Sequence, residues 1–300
     1  MKTKYIRVFS LVFALLLITL SGCSKNQPGE NDTGKAEAYQ VEVPFEDKIS
    51  VFSFNDKGNI ISQTNPGKAT ELADVTENAD AAEIKYEYDK NGKKIKVSYF
   101  DAQNIKIAEK AYEYDSNGRC IKCDVFTIDS GEFAFDFGFT YEYDSNGNIS
   151  KITDDKGTTE EYLYNEKNLC IKETVRSDGE LFDETDFYYD DSDNLIRTDS
   201  TSKDNCKYEF DSNGRLIKET YDWYVVEYEY TESNKAIVYV TYEGQERTAL
   251  KTIEFFDNRK IVKESWYNPG SETEFYAISI SLVEDIIENE PNPRYTVSIK

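Results

Sequence analysis

Histidine is absent from all 300 residues. That gap removes Ser-His-Asp and Cys-His nucleophile systems together with the usual zinc sites, and no cofactor or metal is expected. No apolar run reaches the ~20 residues that a membrane-spanning helix needs. Basic residues are few, 35 Lys and Arg against 58 Asp and Glu for a net charge of −23, and they form no cluster. Such a surface repels polyanions, so nucleic acid is not an expected partner. The acidity reads as a means of keeping an exported chain soluble.

Export is written into residues 1–22. Lys2, Lys4 and Arg7 make a positive start, and "VFSLVFALLLIT" follows as an apolar core of a length suited to a cleaved signal peptide. Leu20, Ser21, Gly22 and Cys23 resemble the bacterial lipobox. That resemblance implies cleavage before Cys23 and acylation of its thiol by palmitate-type chains. Cys23 is therefore the expected lipid attachment site, and the expected location is the bacterial cell membrane, facing outside the cytoplasm. Cleavage takes 3 of the 35 basic residues and none of the 58 acidic ones, leaving a net charge of −26. Within residues 23–43, Cys23 is followed by "SKNQPGENDTGKAEAYQ", too polar to offset the entropy of ordering. They read as a flexible tether with a reach of about 25 Å.

The remaining chain, 44–300, is dominated by one repeated phrase. "YEYDSNGR", "YEYDSNGN" and "YEFDSNGR" begin at Tyr112, Tyr141 and Tyr208. Aligned on the Asp, clear copies fall at Asp89, Asp115, Asp144, Asp190 and Asp211, and degenerate ones at Asn55, Asn165, Thr231 and Phe256. These nine units have a basic period near 21, lengthened by insertions in the earlier copies.

Each unit spells a hairpin. Tyr112 and Tyr114 are two apart and share a strand face, while Glu113 points to the other. Asp-Ser-Asn-Gly then supplies an Asp that bonds its own backbone and a Gly that accepts positive φ. The return strand places Ile121, Ile171, Ile196, Ile217 or Val262 at a fixed offset. A four-residue loop sets these on the Tyr face and a three-residue loop with a bulge sets them on the Glu face. The first is favoured because it gathers apolar groups on one face. Nine units give about eighteen strands. The expected fold class is all-β, a long twisted antiparallel β-meander of repeated hairpins, coiled over an aromatic face, with closing strands within 275–300. Of these, "AISISLV" and "YTVSI" read as a cap on the open sheet edge.

Those units resemble the YD repeats of the Rhs-type family, "YEYDSNGRCI" and "YEFDSNGRLI" closely, "YLYNEKNLCI" and "IEFFDNRKIV" poorly. The resemblance covers about two thirds of the chain. It implies coiled β shells that enclose toxins or occur in surface and adhesion proteins. The absence of an Asp-Pro-x-Gly motif argues against toxin encapsulation.

Chemistry-bearing residues are sparse. With 58 acids, a carboxylate pair at glycosidase separation arises by chance. Cys120 and Cys123 spell "CIKC", but on a strand a spacing of three points them to opposite faces, and no helix N-terminus activates either. Cys120, Cys170 and Cys206 read as small apolar strand residues. The Asp turns offer one carboxylate each, short of a calcium hand. Among the aromatics, Trp223, Tyr224, Trp266 and Tyr267 fall outside the repeated columns, between hairpins, and are the candidates for exposed ligand contact. No catalytic residue is assigned. The expected role is a non-enzymatic, surface-anchored binding or adhesion scaffold for a surface glycan or protein partner. The alternatives are a carbohydrate-active hydrolase using a carboxylate pair and a purely structural envelope protein.

Overall fold

A computed structural model describes residues 38–46, 48–66, 81–129, 132–258, 260–268, 271, 273, 275–282 and 293. The first described strand is β1 (Tyr39–Phe45). Nine hairpins follow: β2 (Lys48–Phe54) with β3 (Ile60–Thr64), β4 (Glu83–Tyr88) with β5 (Lys94–Phe100), β6 (Lys106–Tyr114) with β7 (Cys120–Asp129), and β8 (Glu132–Tyr143) with β9 (Ile149–Asp154). Next come β10 (Thr159–Tyr164) with β11 (Cys170–Ser177), β12 (Glu180–Tyr189) with β13 (Leu195–Ser200), and β14 (Cys206–Phe210) with β15 (Leu216–Tyr221). The last two are β16 (Tyr224–Glu232) with β17 (Lys235–Tyr242), and β18 (Thr248–Phe256) with β19 (Ile261–Tyr267), before the final strand β20 (Phe275–Leu282). Each strand pairs antiparallel with the next, giving one 20-stranded meander. The nine units thus supply β2 to β19, and single strands flank them.

The first described strand runs from Tyr39, ahead of residue 44, and its wholly buried Val43 ties it to the core. The first closing strand forms β20, whereas "YTVSI" lies outside the described residues, as do the leader, Cys23 and the tether up to residue 37.

The turns are built as their side chains dictate. Asp115 Oδ1 accepts the backbone N–H of Asn117 and of Arg119, both at 2.9 Å, and the Gly118 N–H closes the turn on the Asp115 carbonyl at 3.0 Å. Gly118 adopts φ of 78°, where a Cβ is penalised. In two of the units Asn168 and Asp193 occupy this left-handed position, which short polar side chains tolerate.

Register is where the favoured reading fails. Glu113 faces Lys122, but Tyr114 faces Cys120, so Ile121 is the extra residue of a bulge. The same shift recurs at Tyr88, Tyr164, Tyr189 and Phe210. The inward column is therefore Ile60, Cys120, Cys170, Leu195 and Leu216, all buried, while Ile121, Ile171 and Ile196 are exposed on the Glu face. The last hairpin has no bulge: Phe255 faces Val262 and Phe256 faces Ile261, so Val262 is the inward residue there and Ile261 is buried on the other face. The bulge also overturns the reading of "CIKC": the added residue brings Cys120 opposite Tyr114 and Cys123 opposite Tyr112, both inward.

Two apolar clusters form the core, and at β19 they lie on opposite faces of the sheet, Val262 in one and Ile261 in the other. One runs from Tyr162 through Leu216 and Tyr228 to Val262. The other joins Val43, Phe52, Tyr86 and Val97 at the chain's start to Ile261, Ile278 and Ile280 at its end, so the meander coils until its two ends pack together. Full burial of a side chain such as Leu216 is worth about 1.5–3 kcal/mol. Polar links join the ends as well. The Tyr39 hydroxyl donates to Asp257 Oδ2 at 3.2 Å, and Lys260 Nζ donates to Tyr39 Oη at 2.9 Å. Gln63 Nε2 donates to the Ile280 carbonyl at 2.9 Å, and the Ile280 N–H reaches the Pro66 carbonyl at 3.3 Å. Among the described residues no ladder joins β1 to β20, and the sheet is not closed into a barrel.

Candidate functional site

The turn between β15 and β16 is only two residues long, and its second residue is Trp223. So tight a turn cannot fold a large side chain back into the core. The indole stands 51% exposed yet is held on three sides. Its Nε1–H donates to Asp204 Oδ2 at 3.0 Å. Its ring lies 5.5 Å from that of Tyr242, near parallel, and meets Tyr224 edge-on at 4.7 Å. Tyr224 in turn stacks on Tyr221 with centroids 4.2 Å apart. Burial, reinforced by the Glu219 carboxylate, raises both the Tyr221 and the Tyr224 phenol far above the usual range, so both remain protonated donors at any physiological pH. The result is a braced aromatic surface with one outward ring face, an arrangement that receives the C–H face of a sugar or an apolar protein side chain.

The four aromatic candidates do not form one site. Trp223 and Tyr224 share the cluster just described. Trp266 and Tyr267 lie within β19, not between hairpins, and both are half-buried. The Trp266 ring sits 4.4 Å from Lys251 Nζ, whose ammonium donates at 2.5 Å to Glu264. That indole packs over a buried ion pair. Sequence reasoning missed Tyr242 and Asp204. Asp204 could not be found from spacing, since it reaches Trp223 from the β13–β14 connection.

Carboxylates gather on the inner face of β10 to β13. Burial raises the Glu160 carboxyl above its ordinary value, against the Tyr162 hydroxyl bonded to it at 2.5 Å, with the nearby Glu173 adding to the rise. Burial alone would also raise Asp183. There the Ser200 hydroxyl at 2.7 Å, Lys203 and Ser202 outweigh it and hold the group well below the carboxylate range. Lys203 Nζ lies 3.4 Å from Asp183 and 3.5 Å from Glu173. The two carboxyls are thus shifted in opposite directions, each by its own neighbours.

The remaining sequence candidates have structural duties. Cys120, Cys123, Cys170 and Cys206 are buried, Cys120 and Cys170 within the inward column. Each Asp-turn carboxylate is occupied by its own backbone, and among the described residues no cluster of three or more potential ligands forms a metal site. The second tyrosine of five units carries a role the spacing did not reveal. Tyr114, Tyr143, Tyr164, Tyr189 and Tyr230 donate their hydroxyls to the carbonyls of Lys94, Cys120, Ile149, Cys170 and Leu216, at 2.5–2.8 Å. The signal was present, for a column that needed only an apolar ring would not retain Tyr so often.

No family model matches the chain, and no curated protein matches it. Among solved structures it is similar to the TcdB2-TccC3-TEV crystal structure, at 10% identity and a TM-score of 0.46, over 78% of this chain and 15% of that one. It is similar to TcdB2-TccC3 without its hypervariable C-terminal region at 11% identity and 0.31, over 83% and 17%. A porin-like protein from Bacteroides uniformis gives 13% and 0.33, over 66% and 94%. The chain thus spans less than a fifth of the first two proteins.

Proposed function

We propose that this chain is a bacterial envelope lipoprotein of the YD-repeat kind, anchored through Cys23, whose coiled sheet serves as a non-enzymatic scaffold for binding or adhesion. The lipobox at Leu20–Cys23 and the Tyr-x-Tyr-Asp series support the anchor and the kinship. One observation carries the binding role: Trp223, half in solvent at the rim of a rigid sheet, braced by Asp204 and Tyr242. An indole fixed in this way has already given up its rotamer freedom, which lowers the entropic cost of a contact. The product beginning at Ser24 is to be screened against a cell-surface glycan array and against envelope proteins. A ligand held by the wild type and released by Trp223→Ala supports the reading. Undiminished binding by that variant removes Trp223 from it. Metabolic labelling with a palmitate analogue, lost in Cys23→Ser, tests the anchor.

The alternative reading is a carbohydrate-active hydrolase using a carboxylate pair, for which the carboxylates on the inner face of β10 to β12, Glu160, Glu173 and Asp183, are the candidates. Cleavage of a bound glycan that disappears in Glu160→Gln would establish it, and intact glycan after prolonged incubation would dismiss it.

A further inference from the structure

A second place on the outer face has the makings of a ligand site, far along the sheet from Trp223. Gly138 in β8 stands opposite Asp124 in β7. A Cβ at Gly138 would lie 2.6 Å from Asp124 Oδ1 and 3.3 Å from the Phe135 ring, so the carboxylate occupies the space that any other residue would fill. The strand is pinned here to the next turn, since the Asp155 N–H donates to the Gly138 carbonyl at 3.0 Å and the Gly138 N–H to Asp155 Oδ1 at 3.3 Å. A concavity of about 260 Å³ results, lined by Lys122, Asp124, Phe135, Thr140, Thr153 and Asp155 among others. Its apolar wall extends along the hairpin. Phe135 and Phe133 are 50% and 40% exposed, and both rings lie 6.0 Å from that of Phe126.

The lining decides what fits. A cation is poorly served, because Lys122 Nζ already donates to Asp124 Oδ2 at 2.5 Å, while the neighbouring Asp154 is engaged by the N–H groups of Lys156 and Thr158. An anion meets three aspartates. A wholly apolar ligand would strip water from the Lys122–Asp124 pair without replacing it. A polyhydroxylated ring satisfies all of these at once. Its hydroxyls donate to Asp124 or Asp155 and accept from Lys122 or the threonines, and its C–H face covers Phe135.

We propose that this concavity binds one pyranose unit of a neutral glycan, with Phe135 as the stacking face and the Lys122–Asp124 pair as the hydroxyl clamp. The inference rests on the recognition role argued above but not on Trp223. From β8 to β16 there are eight strand steps, about 38 Å along the sheet at the usual spacing. Two separate sites on one rigid support would bind a polymer more tightly than a short oligomer through effective concentration.

The test is calorimetric titration of the product beginning at Ser24 with neutral gluco-, manno-, galacto- and xylo-hexasaccharides, using chitosan oligomers and oligogalacturonate as cationic and anionic controls. At least one neutral hexasaccharide is expected to bind, about tenfold more weakly to Phe135→Ala, as loss of a ring contact implies, and similarly more weakly to Asp124→Asn. Both side chains reach solvent, and circular dichroism checks that the variants keep the sheet. Binding to none of the neutral sugars overturns the proposal, as does preference for a charged control or unchanged affinity in both variants. Weakening by Trp223→Ala alone would overturn it while leaving the earlier reading intact. Weakening by Phe135→Ala alone would do the reverse.

Discussion

The Tyr143 hydroxyl donates to the Cys120 carbonyl at 2.5 Å, one unit back along the chain. The ladder between β7 and β8 stops at the Lys122–Thr140 pair, and beyond that end the phenol holds the Cys120 carbonyl. Tyr114, Tyr164, Tyr189 and Tyr230 repeat this at their own junctions. Phe210 takes the tyrosine's place in its unit, opposite Leu216 and where the β13–β14 ladder ends at Arg197 and Lys207, but has no hydroxyl to give. Tyr143→Phe is expected to cost about 1–2 kcal/mol, a net hydrogen bond plus an unsatisfied carbonyl. Phe210→Tyr should gain up to about 1 kcal/mol. Shifts of opposite sign in the denaturant midpoint check both.

The turn aspartates make the fold acid-labile. Backbone N–H groups, led by Lys93 at Asp89 and Arg119 at Asp115, hold those carboxyls below their ordinary value of 3.8. At Asp144 and Asp190 the amide of Asn148 or Asn194 leads, and at Asp211 the bonds outweigh an opposing burial effect. A depressed folded pKa contributes stability above the unfolded value, lost as pH falls through the folded one. The denaturant midpoint should be level above about pH 5 and decline below pH 4. Asn55 and Asn165 already cap their turns through Oδ1 at 2.9–3.0 Å. Changing all five aspartates to asparagine should therefore flatten the acid limb with little loss at pH 7.

Lys251 and Glu264, both almost fully buried, form an ion pair at 2.5 Å. Removing one partner strands the other's charge, so Lys251→Met alone should cost about 3–5 kcal/mol. Combined with Glu264→Leu, much of that loss should return, and a double-mutant cycle of unfolding free energies measures the recovery.

Gly118 at φ of 78° would gain a Cβ 3.0 Å from Lys93 Cε. The lysine tip can move aside, but the backbone strain cannot be relieved, so Gly118→Ala should cost about 1–2 kcal/mol. Gly118→Asn, which reproduces the state of Asn168, should cost less. Thermal melts of the two variants rank them.

Hairpins, their number and their Asp turns were legible because period-two alternation and turn chemistry act within a few residues. The bulge at Ile121 was not. It depends on the balance between a left-handed glycine and the ladder two residues on, and the sequence offers Ile121 as apolar without saying that its neighbour Cys120 is the inward one. From that single slip came the misplaced isoleucine column and the misread faces of Cys120 and Cys123. At the candidate site Trp223 could be singled out as lying off the repeat, but its brace could not, since Asp204 and Tyr242 arrive from other strands. Trp266 looked equivalent in sequence. Only the buried Lys251 beneath it shows that its ring is already spoken for.

In a meander each strand touches its predecessor and its successor, so local opening at one end would normally release strands one at a time. Here Tyr39 meets Asp257 and Lys260, and Gln63 meets Ile280, so neither terminal strand peels away without also breaking contacts made across more than two hundred residues. The clasp ties the first described strands to the last ones, so local opening at one end of the described sheet is expected to loosen the other.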